Sequence, residues 1–226
     1  MTVSIIIPAL NEADVIECTL DAVRSQPGPK EIIVVDGGSS DDTAQRAAPH
    51  AAVVEAPRGR AHQMNRGAER ASGDVLWFLH ADTLPPPHAL DRIRQAVRQP
   101  EVESGIFQLS FDRDAPLLQL YSWCTRWPWI RIAFGDRGLF TTRAAFEAVG
   151  GFPEWPVFED LELADRLHQR GTFRFLPQAV TTSARRFRSH GMLRQQVRNL
   201  YLWTHYVMGT DPERVAHLYA YDDEAS

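Results

Sequence analysis

Aspartates, arginines and histidines recur in this chain where a strand or helix should end. Together such groups bind phosphoryl oxygens, hold a divalent cation or take a proton. Asp36 opens the polar turn Asp36-Gly-Gly-Ser-Ser-Asp-Asp-Thr43, His80 and Asp82 close an apolar run at residues 75–79, and Glu159 and Asp160 begin a helical pattern. Arg58 and Arg60 fall between them, and Arg185, Arg186, His190, Arg194 and Arg198 cluster late. A ribose or phosphate at the first turn would use Asp36 and the N-terminus of the following helix. Arg58 and Arg60 suit a diphosphate, the late cluster an anionic leaving group or a lipid phosphate, and the carboxylates at 159–160 proton acceptance. Each feature also has a plainer reading: a strand-to-helix connection, solvated loop arginines, a turn capped by Asp82, and acids that complement a helix macrodipole. Singly, these residues leave both readings open.

The elements that must position them follow from periodicity and punctuation. Residues 3–7 form a β-branched strand stopped by Pro8, and a helix over residues 11–22 ends at Pro27-Gly28-Pro29. Residues 31–35 are a second buried strand running into the Asp36 turn, in outline the first half of a nucleotide-binding βαβ unit. Val53-Val54 marks a third strand, and Arg58-Gly-Arg-Ala-His-Gln-Met-Asn65 after it is basic at its start, where the third βα connection falls, and then helical through Ala71. Residues 75–79 are too continuously apolar for a half-exposed strand, so His80, Ala81 and Asp82 leave its C-terminal end, where open parallel sheets place their ligand crevice. Pro85-Pro86-Pro87 starts a helix over residues 89–97. Phe107, Leu109 and Phe111 alternate as in a half-buried antiparallel strand. Residues 121–134 are dense in aromatics, with Trp123, Trp127, Trp129 and Phe134; they read as core, a lid, or a platform for a sugar ring or apolar acceptor tail. Strands at 139–142, 173–176 and 180–183 and an amphipathic C-terminal helix complete the pattern.

The chain has 226 residues, with 44% hydrophobic and 23% charged content, ordinary for one large α/β domain. A net charge of -5 gives no support to nucleic-acid binding. Cys18 and Cys124 have no metal-like spacing and read as reduced core thiols. Neither a signal peptide nor a membrane-spanning run is recognisable, so a cytoplasmic enzyme is expected, with peripheral membrane contact left open. Gly37-Gly38 completes neither a dinucleotide fingerprint nor a P-loop.

Ile5-Ile-Ile-Pro-Ala-Leu-Asn-Glu12, Val34-Val-Asp-Gly-Gly-Ser-Ser-Asp41, Leu79-His-Ala-Asp82 and Phe158-Glu-Asp160 occur in an order that resembles family 2 glycosyltransferases of GT-A fold, and the segments Arg58 to Asn65 and Gly135 to Gly138 further resemble a bacterial subgroup of small soluble members. The resemblance implies an α/β fold with a Rossmann-like, mostly parallel central sheet flanked by helices, a smaller antiparallel acceptor-side sheet and a C-terminal helix. One domain over residues 1–215 is expected, with a nucleotide-sugar half (1–104), an acceptor half (105–190), a helical segment (191–215) and an acidic tail (216–226). The implied reaction is inverting transfer of a sugar from a nucleotide-diphosphate sugar to an acceptor hydroxyl, a lipid-linked one among the alternatives. Pro8, Asn11 and Glu12 would shape the loop beside the nucleotide, Glu12 and Asp36 touching base or ribose; Arg58, Arg60, Gln63, His80 and Ala81 would belong to the donor site. Asp82 matches the metal carboxylate for Mg2+ or Mn2+, His190 a further ligand by family analogy, Asp160 the general base with Glu159 beside it, and Arg185 and Arg186 the group facing the diphosphate.

The chemistry asks for the same parts independently. A departing nucleoside diphosphate gathers negative charge that a cation and arginines stabilise, and the acceptor hydroxyl needs a base on the opposite face. Two departures stand out. Gly37 replaces a frequent second aspartate, and His80 occupies the first position of the D-x-D motif, leaving one carboxylate for a metal that prefers oxygen. The rival readings are a sugar nucleotidyltransferase and a non-catalytic nucleotide-sugar binding protein.

Overall fold

The computed structural model describes residues 1–130, 135–185, 201–210, 212 and 214. The strands are β1 Val3–Ala9, β2 Lys30–Asp36, β3 Ala52–Glu55, β4 Val75–Phe78, β5 Thr83–Leu84, β6 Val102–Phe111, β7 Phe140–Thr142 and β8 Thr172–Thr182. The helices are α1 Ile16–Arg24, α2 Thr43–Ala47, α3 Arg60–Arg70, α4 Ala89–Val97, α5 Pro116–Cys124, α6 Arg143–Ala148 and α7 Glu159–Arg170, and Gly135–Arg137 forms a 3-10 turn. All eight strands join one mixed sheet in the order β3-β2-β1-β4-β7-β6-β8-β5. The pairs β1/β2, β1/β4, β2/β3 and β6/β8 are parallel, and β4/β7, β6/β7 and β5/β8 antiparallel. The expected antiparallel part is therefore continuous with the parallel half.

Strand periodicity sorts side chains to the two faces. Ile5 and Ile7 pack with Ile16, Leu20 and Val23 of α1 and Leu90 and Ile93 of α4. On the other face, Ile6 packs with Met64 and Ala68 of α3 and Leu163 and Leu167 of α7. Both faces are covered, which is why β1, β2 and β4 read as continuous apolar runs.

Gly67 lets α3 lie close on the sheet: a Cβ there would sit 2.3 Å from Ile6 Cγ2 and 3.0 Å from Val35 Cγ2. Gly67→Ala is expected to destabilise the fold by about 1–3 kcal/mol, despite alanine's better helix propensity. A fall in the urea midpoint measures it.

Several boundaries differ from expectation, each for a local reason. β1 continues through Pro8 to Ala9. Leu79 N–H donates to Ile6 O, and Ile6 and Pro8 face the same side, so the hydrogen that Pro8 lacks would point past the end of β4. α1 starts at Ile16 rather than near Asn11, because Asn11 takes a left-handed conformation (φ 53°) and its loop bonds to the Asp36 turn. Cys18 is exposed, contrary to a core thiol, because α1 turns Ile16, Thr19, Leu20 and Val23 inward. β6 is a central strand: Phe107 and Leu109 are buried with Gln108 and Ser110 less so, as the alternation predicts, while Ser104, Gly105 and Ile106 before them are buried in succession. The two late strands are one, β8, in which Pro177 falls where the register against β6 shifts between Ile106 and Gln108. Residues 201–207 are helical, with Leu202 packed against Val157, Phe158 and Leu161. The rest of the expected C-terminal helix and the acidic tail lie mostly outside the described residues.

Candidate active site

The C-terminal ends of β1, β2 and β4 bring the first three motifs together. Asp36 is fixed by its own turn: Oδ2 accepts from Gly38 N (3.1 Å) and Ser39 N (2.9 Å), and Oδ1 from Ser39 Oγ (2.5 Å). Asn11 ties the first loop to that turn, its Oδ1 accepting from Ser40 N at 2.8 Å. Glu12 N donates to Thr43 Oγ1 at 2.8 Å. The left-handed Asn11 is thus tolerated because its short amide bonds locally.

Past β4, Thr83 N–H donates to His80 O (3.1 Å), closing the turn that holds His80 and Asp82. Ala81 is buried, and its carbonyl accepts from Thr19 Oγ1 at 2.6 Å, so it anchors the turn. The end of β8 returns to the same place: Ser183 N donates to Asp82 O at 3.2 Å. Arg185 then donates to Glu12 Oε2 and lies 3.9 Å from Asp82 Oδ2. Burial works against its charge, but the Glu12 hydrogen bond and the charges of Glu12, Asp82 and Asp14 leave its pKa raised. Glu12, expected at base or ribose, is committed to holding this arginine.

On the opposite side, α7 begins at Glu159 after Phe158, a left-handed residue (φ 67°). Asp160 is half-buried, its Oδ1 accepting from Leu161 N at 2.8 Å. Glu159 is only 4% exposed and lies 3.8 Å from Arg60 Nε, so it sits in the wall between α3 and α7 rather than on the cleft surface. Burial raises its carboxyl to about 7 despite Arg60, with Asp160 adding to the rise. A carboxyl raised from 4.5 in the folded state makes folding less favourable as pH climbs from about 4.5 to about 7, since the unfolded form ionises first. Glu159→Gln should therefore gain stability relative to wild type across that interval and be flat above it. Urea unfolding of both proteins at several pH values checks the sign.

Gln63 is 3% exposed, and Nε2 donates to Ala9 O and Val35 O, both at 2.8 Å. It clamps the ends of β1 and β2 beneath the Asp36 turn with both amide hydrogens, which leaves Oε1 for the nucleotide contact expected of it. Pro8 is likewise a buried strand residue. Arg58 is exposed on the loop before α3. Arg186 and His190 lie outside the described residues.

One carboxylate was not singled out from the sequence. Asp136, in the 3-10 turn, has a buried Oδ1 with no hydrogen-bond partner among the described residues. Burial and the nearby charge of Asp160, eased by Arg137, then Asp82 opposed by Arg60, push its carboxyl up to about 7. Asp82, Asp136 and Asp160 therefore share one electrostatic neighbourhood, with Arg60 and Arg185 at its two ends. Arg137 fixes the turn: it is 1% exposed, Nε donates to Phe107 O and one terminal nitrogen to Thr125 O, each at 2.9 Å. The signal available in sequence was an Asp-Arg pair between Gly135 and Gly138, whose carbonyl accepts from Trp77 Nε1 at 3.1 Å.

Among the described residues no group of three or more His, Cys, Asp or Glu forms a ready metal cage. Asp82 still suits a hard cation: among the described residues its close side-chain contacts are Thr83 Oγ1 at 3.5 Å and Arg185, leaving lone pairs for an ion completed by phosphate oxygens. Among the described residues no helix is long and apolar enough to cross a membrane.

Known proteins resemble this chain in sequence and in fold. Residues 4–148 match the model of glycosyl transferase family 2. An uncharacterised glycosyltransferase of Mycobacterium tuberculosis is 37% identical over 120 residues, 50% of this chain and 46% of its own length. The probable glycosyltransferase YdaM of Bacillus subtilis is 28% identical over 208 residues, 79% of this chain and 50% of its own. The chain thus spans about half the length of these relatives. Mannosyltransferase PcManGT from Pyrobaculum calidifontis, solved with GDP-Man and Mn2+, superposes with TM-score 0.68 at 22% identity, covering 97% of this chain and 69% of that one. S. aureus TarS 1-349 with UDP-GlcNAc gives 0.65 at 16%, covering 81% and 58%. These two likenesses establish the shared α/β fold.

Proposed function

The chain belongs to glycosyl transferase family 2, and from that premise we propose that it moves a sugar from a nucleotide-diphosphate donor to an acceptor hydroxyl in a single inverting displacement. What supports this reading is that Asp136 feels the charges of Asp160, Asp82 and Arg60, and that Arg185 lies 3.9 Å from Asp82. The Asp36 turn and the Asn11 loop form the nucleotide end, and Asp160 the acceptor end. Asp160 takes the proton of the attacking hydroxyl as the new glycosidic bond forms at the anomeric carbon and the bond to the diphosphate breaks. Arg185 faces the negative charge that leaves. A Mg2+ or Mn2+ ion, when bound, neutralises the diphosphate through its oxygens, with Asp82 as the protein ligand that would hold it. His80 borders the same turn as a ribose contact. The reading keeps the reaction cytoplasmic.

A thermal-shift panel of UDP and GDP with and without manganese tests the donor site, since a ligand that binds only the folded state raises the midpoint. The expected result is a metal-dependent rise with one base. Asp82→Ala is expected to weaken that binding by at least about tenfold, the scale seen even for outer partners of metal sites. A metal-dependent shift of wild-type size in Asp82→Ala would remove Asp82 from the ligand role.

A further inference from the structure

α5 is apolar on more sides than the core can use. Of Pro116–Cys124 only Leu118 is buried, with Tyr121 half-buried against Phe111 at a ring distance of 5.8 Å. The outward side carries Leu120 (55% exposed) and Trp123 (50%), and the following loop adds Trp127 (50%) and Trp129 (63%). The three indoles form a contiguous array, Trp123 to Trp127 at 6.2 Å and Trp127 to Trp129 at 6.3 Å. Aromatic side chains of roughly 150–250 Å² each, half exposed, make with Leu120 a patch on the order of 300 Å², within the range of a typical monomer's largest apolar patch, which is often functional.

The surrounding charge narrows the occupant. Residues 115–131 contain Arg126 and Arg131 and no carboxylate, in a chain of net charge -5. Arg113 and Arg126, both exposed, line one hollow together with Leu120, Trp123 and Asp114. Indole rings beside guanidinium groups fit the headgroup region of a bilayer, where an amphipathic ring has one wet and one apolar neighbour and arginines meet lipid phosphates. An acidic protein surface would satisfy the arginines but not three indoles, and a purely apolar partner the reverse.

We propose that the Leu120–Trp123–Trp127–Trp129 face, with Arg113 and Arg126, docks on the surface of an anionic lipid bilayer. The docking is peripheral and rests on the patch alone, so it stands or falls separately from the transfer reaction. Binding is reversible and weakened by salt, because exposed charge pairs are screened.

Co-sedimentation of the full chain with phosphatidylcholine vesicles, and with vesicles that also contain phosphatidylglycerol, tests it, alongside tryptophan fluorescence. The wild type is expected to pellet with the anionic vesicles, with a blue-shifted emission, and to stay largely in the supernatant with the neutral ones. Replacing Trp123, Trp127 and Trp129 together by Ser should reduce partitioning roughly tenfold or more, and Arg126→Glu should weaken anionic binding selectively. Trp129→Ser alone, a single solvent-facing change, gives a smaller loss and covers the case in which the triple variant does not fold. Circular dichroism of each variant checks that the fold is intact. No pelleting of wild type with anionic vesicles, or equal pelleting of wild type and folded variants, overturns the proposal. So does a dimer in solution that the triple variant dissolves while vesicles bind neither protein, which would make the patch a self-association surface.

Discussion

Asp160→Asn is expected to lower sugar transfer by roughly 10² to 10⁴ while nucleotide binding persists, the range associated with loss of a positioned general base. Asn is isosteric and keeps the side-chain carbonyl that accepts from Leu161 N, so the start of α7 should survive the change. What is lost is the capacity to take a proton. Hydrolysis of a sugar nucleotide by water, the acceptor-free form of the same displacement, gives a readout that needs no identified acceptor. Wild-type hydrolysis in Asp160→Asn would end the assignment of the base. Glu159→Gln is the control: its side chain is walled in beside Arg60, so it should change stability with pH far more than it changes hydrolysis.

Arg137→Met should be the most damaging single change to the fold, costing about 3–5 kcal/mol, the scale for breaking up a buried charge and its partners. The guanidinium is 1% exposed, with hydrogen bonds to Phe107 O and Thr125 O. Methionine fills much of the volume yet leaves both carbonyls unsatisfied and removes the positive charge that eases Asp136. A loss of that size is a large share of the stability of a typical domain. Arg137→Lys keeps the charge but not the planar fork, and should fall between the two. Urea unfolding gives the difference directly. A loss under about 0.5 kcal/mol, the scale of ordinary surface substitutions, would refute it.

The nucleotide half was legible in the sequence because its signals are local. β-branched runs ending in Asp36 and in His80-Ala-Asp82 mark strands buried on both faces, and a parallel sheet puts their ends on one side. The acceptor side was less legible because its register is set by tertiary partners. The strands read separately at 173–176 and 180–183 are one, β8, with Pro177 at an irregularity opposite β6. The alternation of Phe107, Leu109 and Phe111 marked a half-buried antiparallel strand, but nothing local in it showed that β6 also pairs parallel with β8. At the site, Gln63 and Glu12 were recognisable as polar residues beside motifs, but composition does not reveal that backbone carbonyls use the amide of the first and Arg185 the carboxylate of the second. Asp136 escaped because its significance is its surroundings: a carboxylate oxygen without a partner among the described residues, near two other acids that are distant along the chain.

The strand order has a bearing on how such an enzyme can change. β7 lies against β4, and β5, made of Thr83 and Leu84, pairs only with the far end of β8, where Thr83 and Thr182 hydroxyls meet at 3.0 Å. Segments from before and after residue 104 are woven through each other rather than set end to end. Grafting a foreign acceptor half onto this scaffold would strip β5 of its neighbour and Asp82 of its anchor at Ser183. New acceptor preferences are thus more accessible through altered loops on a retained weave than through exchange of modules.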